Sequence, residues 1–128
     1  MAKDIELKAV KLVLNYERKR RWKASPAKAG SGYDILSVKG KNKKFIEVKG
    51  QSAIKPRYVG FHKYTFRKVG QVSEDMEKYF LYIVYNIKKK PKLKIIPSSL
   101  IFRNLEIDAN FFLPAGVIRK IKDDSYFP

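Results

Sequence analysis

The chain has 128 residues, of which 29 are Lys or Arg and 12 are Asp or Glu, so its formal net charge is +17. It contains no cysteine, which excludes a disulfide scaffold and a thiolate metal site. The length predicts one domain over 1–128, with 101–128 as a C-terminal extension, and the lack of about eighteen consecutive apolar residues or of a signal segment predicts a cytoplasmic protein with no membrane span.

The first predicted element is an amphipathic helix from residue 4 to about residue 20, because apolar residues recur there at spacings of three and four. Glu17 lies at the edge of the apolar stripe and is predicted to face the sheet, with an ordinary surface ion pair as the alternative. Glu6 lies on nearly the same side, but at the rise of a helix it is about 16 Å away. One metal ion therefore cannot use both glutamates.

A β-hairpin is predicted next, from two β-prone runs at 33–39 and 45–50 that flank the turn residues Gly40, Lys41 and Asn42. A two-residue turn with Gly40 at its first central position suits the twist of a hairpin. This register pairs Ile35 with Ile46, Leu36 with Phe45, and Asp34 with Glu47.

The second strand of this hairpin divides its side chains between two faces. Side chains alternate along a strand with period two, so Phe45, Glu47 and Lys49 share one face. Ile46 and Val48 point to the other face and are predicted to be buried.

The pairing of Asp34 with Glu47 predicts a cation site. Directly opposed side chains in a hairpin have Cβ atoms about 5 Å apart, and two negative charges that close repel each other. A hard divalent cation, Mg²⁺ or Mn²⁺, would relieve this repulsion. Lys49, on the same face, would neutralise a phosphate oxygen or position a water nucleophile.

The remaining elements predict an α/β sandwich built on a mixed sheet, with a purely antiparallel barrel as the competitor. His62, the single histidine, is interpreted as structural, and Tyr58 as a core residue rather than a base-stacking one. The predicted elements are a short strand at 22–25, an extended stretch at 53–61, a helix at 64–72, buried strands at 79–87 and 92–96, and a final hairpin at 111–118 in which Pro114 prevents a helix.

Basic residues cluster in three runs, at 18–21, 39–44 and 88–92. A strongly positive chain attracts polyanions, and the combination with a metal site favours nucleic acid over solubility alone as the explanation. The residues predicted to contact nucleic acid are Arg18, Arg20, Arg21, Lys41, Lys43, Lys44, Gln51, Arg57 and Lys63.

Two motifs give a family resemblance. Gly32-Tyr33-Asp34-Ile35 followed by Ile46-Glu47-Val48-Lys49-Gly50 resembles the PD-(D/E)XK nuclease superfamily, and more narrowly the domain at the C-terminus of the NO VEIN protein. Asn15-Tyr16-Glu17 and the 79–86 run followed by Pro91 extend the resemblance over about 4–100. Tyr33 stands where the superfamily's pattern has proline.

The resemblance implies a restriction-endonuclease-like core, a mixed β-sheet flanked by helices in αβββαβ order. It also implies that Asp34 and Glu47 are metal ligands, that Val48 adds its carbonyl and Glu17 its carboxylate, and that Lys49 is the catalytic lysine.

These features predict a metal-dependent nuclease that hydrolyses phosphodiester bonds of DNA, with Asp34, Glu47 and Lys49 as catalytic residues and Mg²⁺ or Mn²⁺ as cofactor. A homodimer is a further expectation, since many such nucleases act as dimers. The alternatives are a non-catalytic basic module that binds nucleic acid and a subunit of a restriction or repair assembly.

Overall fold

The computed structural model describes residues 2–61, 77–104, 106–108 and 110–124. The predicted helix at 64–72, His62 and Lys63 lie outside these ranges. Within them the elements, in chain order, are α1 (Ala2–Lys19), β1 (Lys23–Pro26), β2 (Ile35–Lys39), β3 (Asn42–Gly50), β4 (Val59–Phe61), β5 (Tyr79–Tyr85), β6 (Lys92–Pro97), α2 (Ser98–Asn104), β7 (Glu106–Asp108), β8 (Asn110–Leu113) and α3 (Ala115–Arg119).

The central sheet is mixed, in the order β1-β2-β3-β5-β6. Strands β3 and β5 run parallel, while the other neighbours are antiparallel. The parallel pair confirms the mixed α/β sheet and shows that the antiparallel-barrel alternative is wrong. It also places the carboxyl ends of β3 and β5 at the same end of the sheet, which decides which loops surround the candidate site.

The hairpin of β2 and β3 has the predicted register. Ile35 pairs with Ile46, and Lys39 pairs with Asn42 across a two-residue turn. Gly40, at the first central position of that turn, has a φ of +60°, a left-handed conformation that glycine adopts without the steric cost of a Cβ. The turn chemistry and the pleat together fix which side chains of β3 face each layer.

Two apolar cores cover the two faces of the central sheet. On one face, Ile46 and Val48 pack under α1 through its buried residues Ala9 and Val13. On the other face, β5 packs against a second layer that contains α2, α3 and the three-stranded sheet β4-β8-β7. The helix predicted from apolar spacing near the N-terminus is thus confirmed as α1.

The C-terminal part differs from the predicted hairpin at 111–118. Strand β8 pairs with β4 and β7 instead, and α3 begins directly after Pro114. Proline is tolerated at the start of a helix, where its missing N–H has no intrahelical acceptor, so it begins this helix rather than preventing one.

Residues that follow α3 fasten the chain to the far edge of the central sheet. The Asp123 carboxylate accepts hydrogen bonds from Tyr85, at 2.7 and 2.8 Å, and forms an ion pair with the nearly buried Lys94 at 2.7 Å. Burial alone would raise the pKa of Asp123, but the hydrogen bonds from Lys94 and Tyr85 hold it below the usual range. Tyr16 of α1 donates to Asp124 at 2.6 Å, so this segment joins both layers.

Gly50 is where α1 approaches the sheet most tightly among the described glycines. A Cβ at this position would lie 2.9 Å from the carbonyl oxygen of Ile5 and 3.0 Å from the Ala9 Cβ. Replacing Gly50 with alanine is therefore expected to push α1 away from β3 and to lower the free energy of unfolding by roughly 1–3 kcal/mol. Thermal and urea denaturation followed by circular dichroism measures this loss.

Gly60→Ala is the matched control for this substitution. No atom lies within 4 Å of the position that a Cβ would take at Gly60, so we expect a change of less than about 0.5 kcal/mol there. Equal stability of the two variants would contradict the tight contact between α1 and β3.

Candidate functional site

The two predicted acids come together at the end of the hairpin. Asp34 stands just before β2, and its main-chain N–H donates to the Ile46 carbonyl at 2.8 Å. Its carboxylate accepts a hydrogen bond from the Val48 N–H at 2.8 Å. The Glu47 carboxyl group lies close enough to Asp34 for the protonated acid to donate a hydrogen bond to it. The carboxyl groups therefore lie on the same side of the hairpin, as its predicted register requires.

A cavity of about 260 Å³ opens over these acids. Lys49 contributes to its wall, so the three residues predicted to be catalytic are brought to one place. Helix α1 contributes the opposite wall, because the close contact at Gly50 holds its N-terminal half against β3. The wall residues are Lys3, Glu6, Leu7, Val10, Asp34, Glu47, Val48 and Lys49.

Glu47 is 8% exposed, and this burial dominates its acid–base behaviour. Burial, the hydrogen bond that protonated Glu47 donates to Asp34, and the negative charge of Asp34 raise the pKa of Glu47 to about 9, while the Lys49 charge opposes the rise. The metal-free pair therefore holds a proton at neutral pH. The pKa of a carboxyl group rises in this way when the group is buried beside a second carboxyl group and no cation lies between them.

Tyr79 adds a polar atom at this position. Its side chain is fully buried, and its hydroxyl has no hydrogen-bond partner among the described residues. Burial together with the charges of Glu47 and Asp34 raises the pKa of Tyr79, so the phenol stays neutral. The site thus contains an unsatisfied hydroxyl within the electrostatic field of both acids.

These donors fit a hard divalent cation. No group of three or more His, Cys, Asp or Glu side chains in the described ranges is arranged to hold a metal ion. Mg²⁺ does not require such a cage, because it binds through one or two carboxylates and retains several waters. Asp34 and Glu47 supply that pair, with the Val48 carbonyl as the predicted third donor.

The structure corrects the role of Glu17. Its side chain is fully buried, and its carboxylate accepts hydrogen bonds from Ser37 at 2.9 Å, Tyr82 at 2.9 Å and Lys44 at 3.0 Å. Glu17 does not line the cavity over the acid pair; the glutamate of α1 that does is Glu6. The prediction that Glu17 joins the metal ligands is wrong, because the N-terminal half of α1 crosses the acid pair.

Three of the predicted nucleic-acid contacts are engaged within the chain. Lys44 pairs with Glu17 and lies 4.1 Å from the centroid of the Trp22 ring. Arg18 donates two hydrogen bonds to the Ala24 carbonyl, at 2.9 and 3.1 Å, and Arg20 stacks on Tyr16 at 3.8 Å. Lys44 is largely withdrawn from solvent by its pairing, whereas Arg18 is exposed and Arg20 partly exposed, so contact of these residues with nucleic acid stays a prediction.

Gln51 also has a structural role that the sequence does not show. Its side-chain NH₂ donates to the Arg57 carbonyl at 3.1 Å, and its side-chain oxygen accepts from the Arg57 N–H at 2.8 Å. This pairing closes the loop after β3, and the contact of Gln51 with nucleic acid stays a prediction. Arg57 itself is exposed.

The basic runs lie at two ends of the central sheet. Arg21, Lys41 and Lys43 are exposed, but Lys41 is about 20 Å from Glu47 along β3. The turn between β5 and β6 carries the exposed Lys88, Lys89 and Lys90 at the same end as Gly50, because β3 and β5 are parallel. The sequence could not show which basic run lies nearer to the acid pair, since the parallel pairing joins strands that are far apart in the chain.

The fold and the acid pair define a class of protein. Residues 5–96 match the family model described as Protein NO VEIN, C-terminal, and no curated protein matches the chain. Among solved structures, Hjc of Archaeoglobus fulgidus, a Holliday junction resolvase from an archaeal hyperthermophile, superimposes with a TM-score of 0.64 at 15% identity over 88% of this chain and 86% of that one. This likeness confirms the predicted restriction-endonuclease-like fold, a mixed sheet flanked by helices.

The match spans well over half of the sequence, and the chain belongs to the family of NO VEIN C-terminal domains. No helix in the described ranges has both the length and the apolar character needed to cross a bilayer.

Proposed function

We propose that this protein is a divalent-metal-dependent nuclease that hydrolyses phosphodiester bonds of DNA. The observation that carries the proposal is the pairing of Asp34 with the buried Glu47 beside Lys49 at one open cavity. Two carboxyl groups this close, one of them buried, are unfavourable for a purely structural role unless a cation or a proton lies between them. Positive charge on the substrate side of the sheet supports a polyanionic substrate.

Asp34, Glu47 and the Val48 carbonyl would hold the cation, which supplies a Lewis acid and favours formation of a nucleophile from water. The Val48 N–H keeps the Asp34 carboxylate fixed at 2.8 Å, so this ligand requires little reorganisation. Lys49 orients the attacking water and neutralises the charge that develops on the phosphate oxygens. The water oxygen bonds to phosphorus as its proton passes to solvent, the bond to the leaving oxygen breaks, and that oxygen takes up a proton from solvent.

Substrate phosphates would reach the site across its basic end. Lys49 lines the cavity over the acid pair and Arg57 the cavity beside it, and the turn with Lys88, Lys89 and Lys90 lies at the same end of the sheet; these cations would supply contacts that do not depend on base sequence. A homodimer would allow two such sites to cut both strands. The exposed Arg21, Lys41 and Lys43 would then contact more distant phosphates.

Cleavage of end-labelled and supercoiled DNA tests the proposal. We expect cleavage with Mg²⁺ or Mn²⁺ and none with EDTA. Lys49→Gln should lower the rate on the order of 10²- to 10³-fold, because one preorganised donor to the developing charge is lost. Lys55→Gln is the control, since this exposed lysine carries the same charge outside the acid-pair cavity. Cleavage that is insensitive to both EDTA and the Lys49 substitution would contradict the proposal.

A non-catalytic module that binds nucleic acid is the second candidate. The observations that favour it are the hydrogen bond that the Val48 N–H already donates to Asp34 and the lack, among the described residues, of a group of three acidic or histidine side chains arranged to hold a metal. This candidate predicts salt-sensitive DNA binding and no heat on titration with Mg²⁺ or Mn²⁺. Isothermal titration calorimetry of the metal-free protein distinguishes the two.

A further inference from the structure

A second cavity, of about 470 Å³, adjoins the one over the acid pair. Glu6 and Lys49 belong to the walls of both cavities, so a ligand in the second one lies directly beside the proposed reaction site. Its outer wall is the connection between β3 and β4, which carries Arg57 and Tyr58.

Tyr58 presents an aromatic ring to this cavity. Its side chain is 62% exposed, so the interpretation of Tyr58 as a core residue is wrong. The ring touches Phe112 edge to face, with centroids 6.2 Å apart and an interplanar angle of 83°. This contact orients the ring while leaving most of its surface in solvent.

The connection that carries Tyr58 is fastened at several points. Gln51 pairs with both main-chain groups of Arg57, and Arg119 of α3 donates to the Pro56 carbonyl at 3.0 Å. Pro56 is itself buried. Tyr58 and Arg57 are therefore held in place before any ligand arrives, which reduces the entropy lost on binding.

We propose that Tyr58 stacks on an unpaired base of DNA whose backbone crosses the acid pair. An exposed aromatic ring beside the cations Arg57 and Lys49 is the arrangement that recognises single-stranded nucleic acid, because every base offers a flat face and the backbone is negative. Bases in a continuous duplex are stacked inside it and cannot reach the ring. The substrate is accordingly DNA with a single-stranded segment at the scissile bond, an inference that rests on the proposed nuclease function.

Binding in EDTA tests this inference without cleavage. The probes are a single-stranded oligonucleotide with a 2-aminopurine base, whose fluorescence falls on stacking, and a blunt duplex of the same length. We expect Tyr58→Leu to weaken single-strand binding roughly 10-fold and duplex binding less than about twofold, with the fluorescence quenching lost. Tyr58→Phe keeps the ring and should behave as the unmodified protein does.

Two controls separate stacking from other effects. Ile54→Ala removes another exposed apolar side chain of the same connection, 68% exposed and outside the cavity wall, and should leave the preference unchanged. Lys88→Ala should weaken the binding of both probes to the same extent, as the loss of a phosphate contact does.

Equal effects of Tyr58→Leu on the two probes, or retained quenching, would overturn the inference. Failure of the nuclease proposal gives a different result, because binding then still depends on Tyr58 while no DNA is cleaved in Mg²⁺.

Discussion

Glu47→Gln is expected to abolish Mg²⁺-dependent DNA cleavage while leaving the fold intact. Loss of one of the two carboxylates removes several kcal/mol of charge stabilisation, which corresponds to a rate decrease on the order of 10³-fold or more. The amide has nearly the shape of the neutral acid that the metal-free protein already holds at this position, so no cavity forms. Single-turnover cleavage rates measure the effect, and retention of DNA on a gel shows that binding persists.

The stability of the same variant provides an independent measurement. The pKa of Glu47 is raised from 4.5 to about 9 in the folded chain. A raised pKa stabilises the fold below the pKa of the unfolded chain, and this stabilisation is lost as pH rises through the folded value. Metal-free wild-type protein should therefore lose stability relative to Glu47→Gln between about pH 4.5 and 9. Mg²⁺ should stabilise the wild type and not the variant.

Glu77→Gln is the control, because it makes the same chemical change and removes the same charge at an exposed position just before β5. It should retain both cleavage and the wild-type dependence of stability on pH. Cleavage at the wild-type rate in Glu47→Gln would exclude the metal-ligand role of Glu47. Low cleavage accompanied by loss of folded structure would instead show that Glu47 is required for the fold.

The sequence could predict the acid pair because every step of that prediction was local. The turn at Gly40 sets the register of the hairpin, and alternation along β3 then assigns Glu47 and Lys49 to one face. The same alternation places Lys44 with Ile46 and Val48 on the buried face, which was the available sign that Lys44 forms an ion pair within the chain. The other basic residues of the 39–44 run obscured that sign in the sequence.

The local sequence pattern could not show which glutamate of α1 lines the cavity over the acid pair. Glu6 and Glu17 share nearly one side of α1, and only the tertiary packing decides which end of the helix crosses the acid pair. The lack of a side chain at Gly50 allows that packing, but a glycine at the end of a strand predicts many other structures as well. The exposure of Tyr58 was missed for a similar reason, since it depends on contacts of its loop with Phe112 and Arg119.

Glu17→Ala is expected to have the opposite effect to Glu47→Gln, with a large loss of stability and little loss of intrinsic activity. Ser37, Lys44 and Tyr82 all donate to the buried Glu17 carboxylate. Removing it leaves the ammonium of Lys44, which is only 18% exposed, without its counter-charge. Breaking a buried pair in this way costs about 3–5 kcal/mol, measured by urea denaturation at low temperature.

The double variant Glu17→Ala with Lys44→Met tests whether the unpaired charge causes that loss. Methionine keeps much of the lysine's apolar length without the charge, so we expect the double variant to regain part of the lost stability. Cleavage per folded molecule, measured below the unfolding transition, should stay within a few-fold of wild type in the milder Glu17→Gln variant, because a group that only supports the fold adds nothing to transition-state binding. A decrease there as large as that of Glu47→Gln would return Glu17 to the metal site.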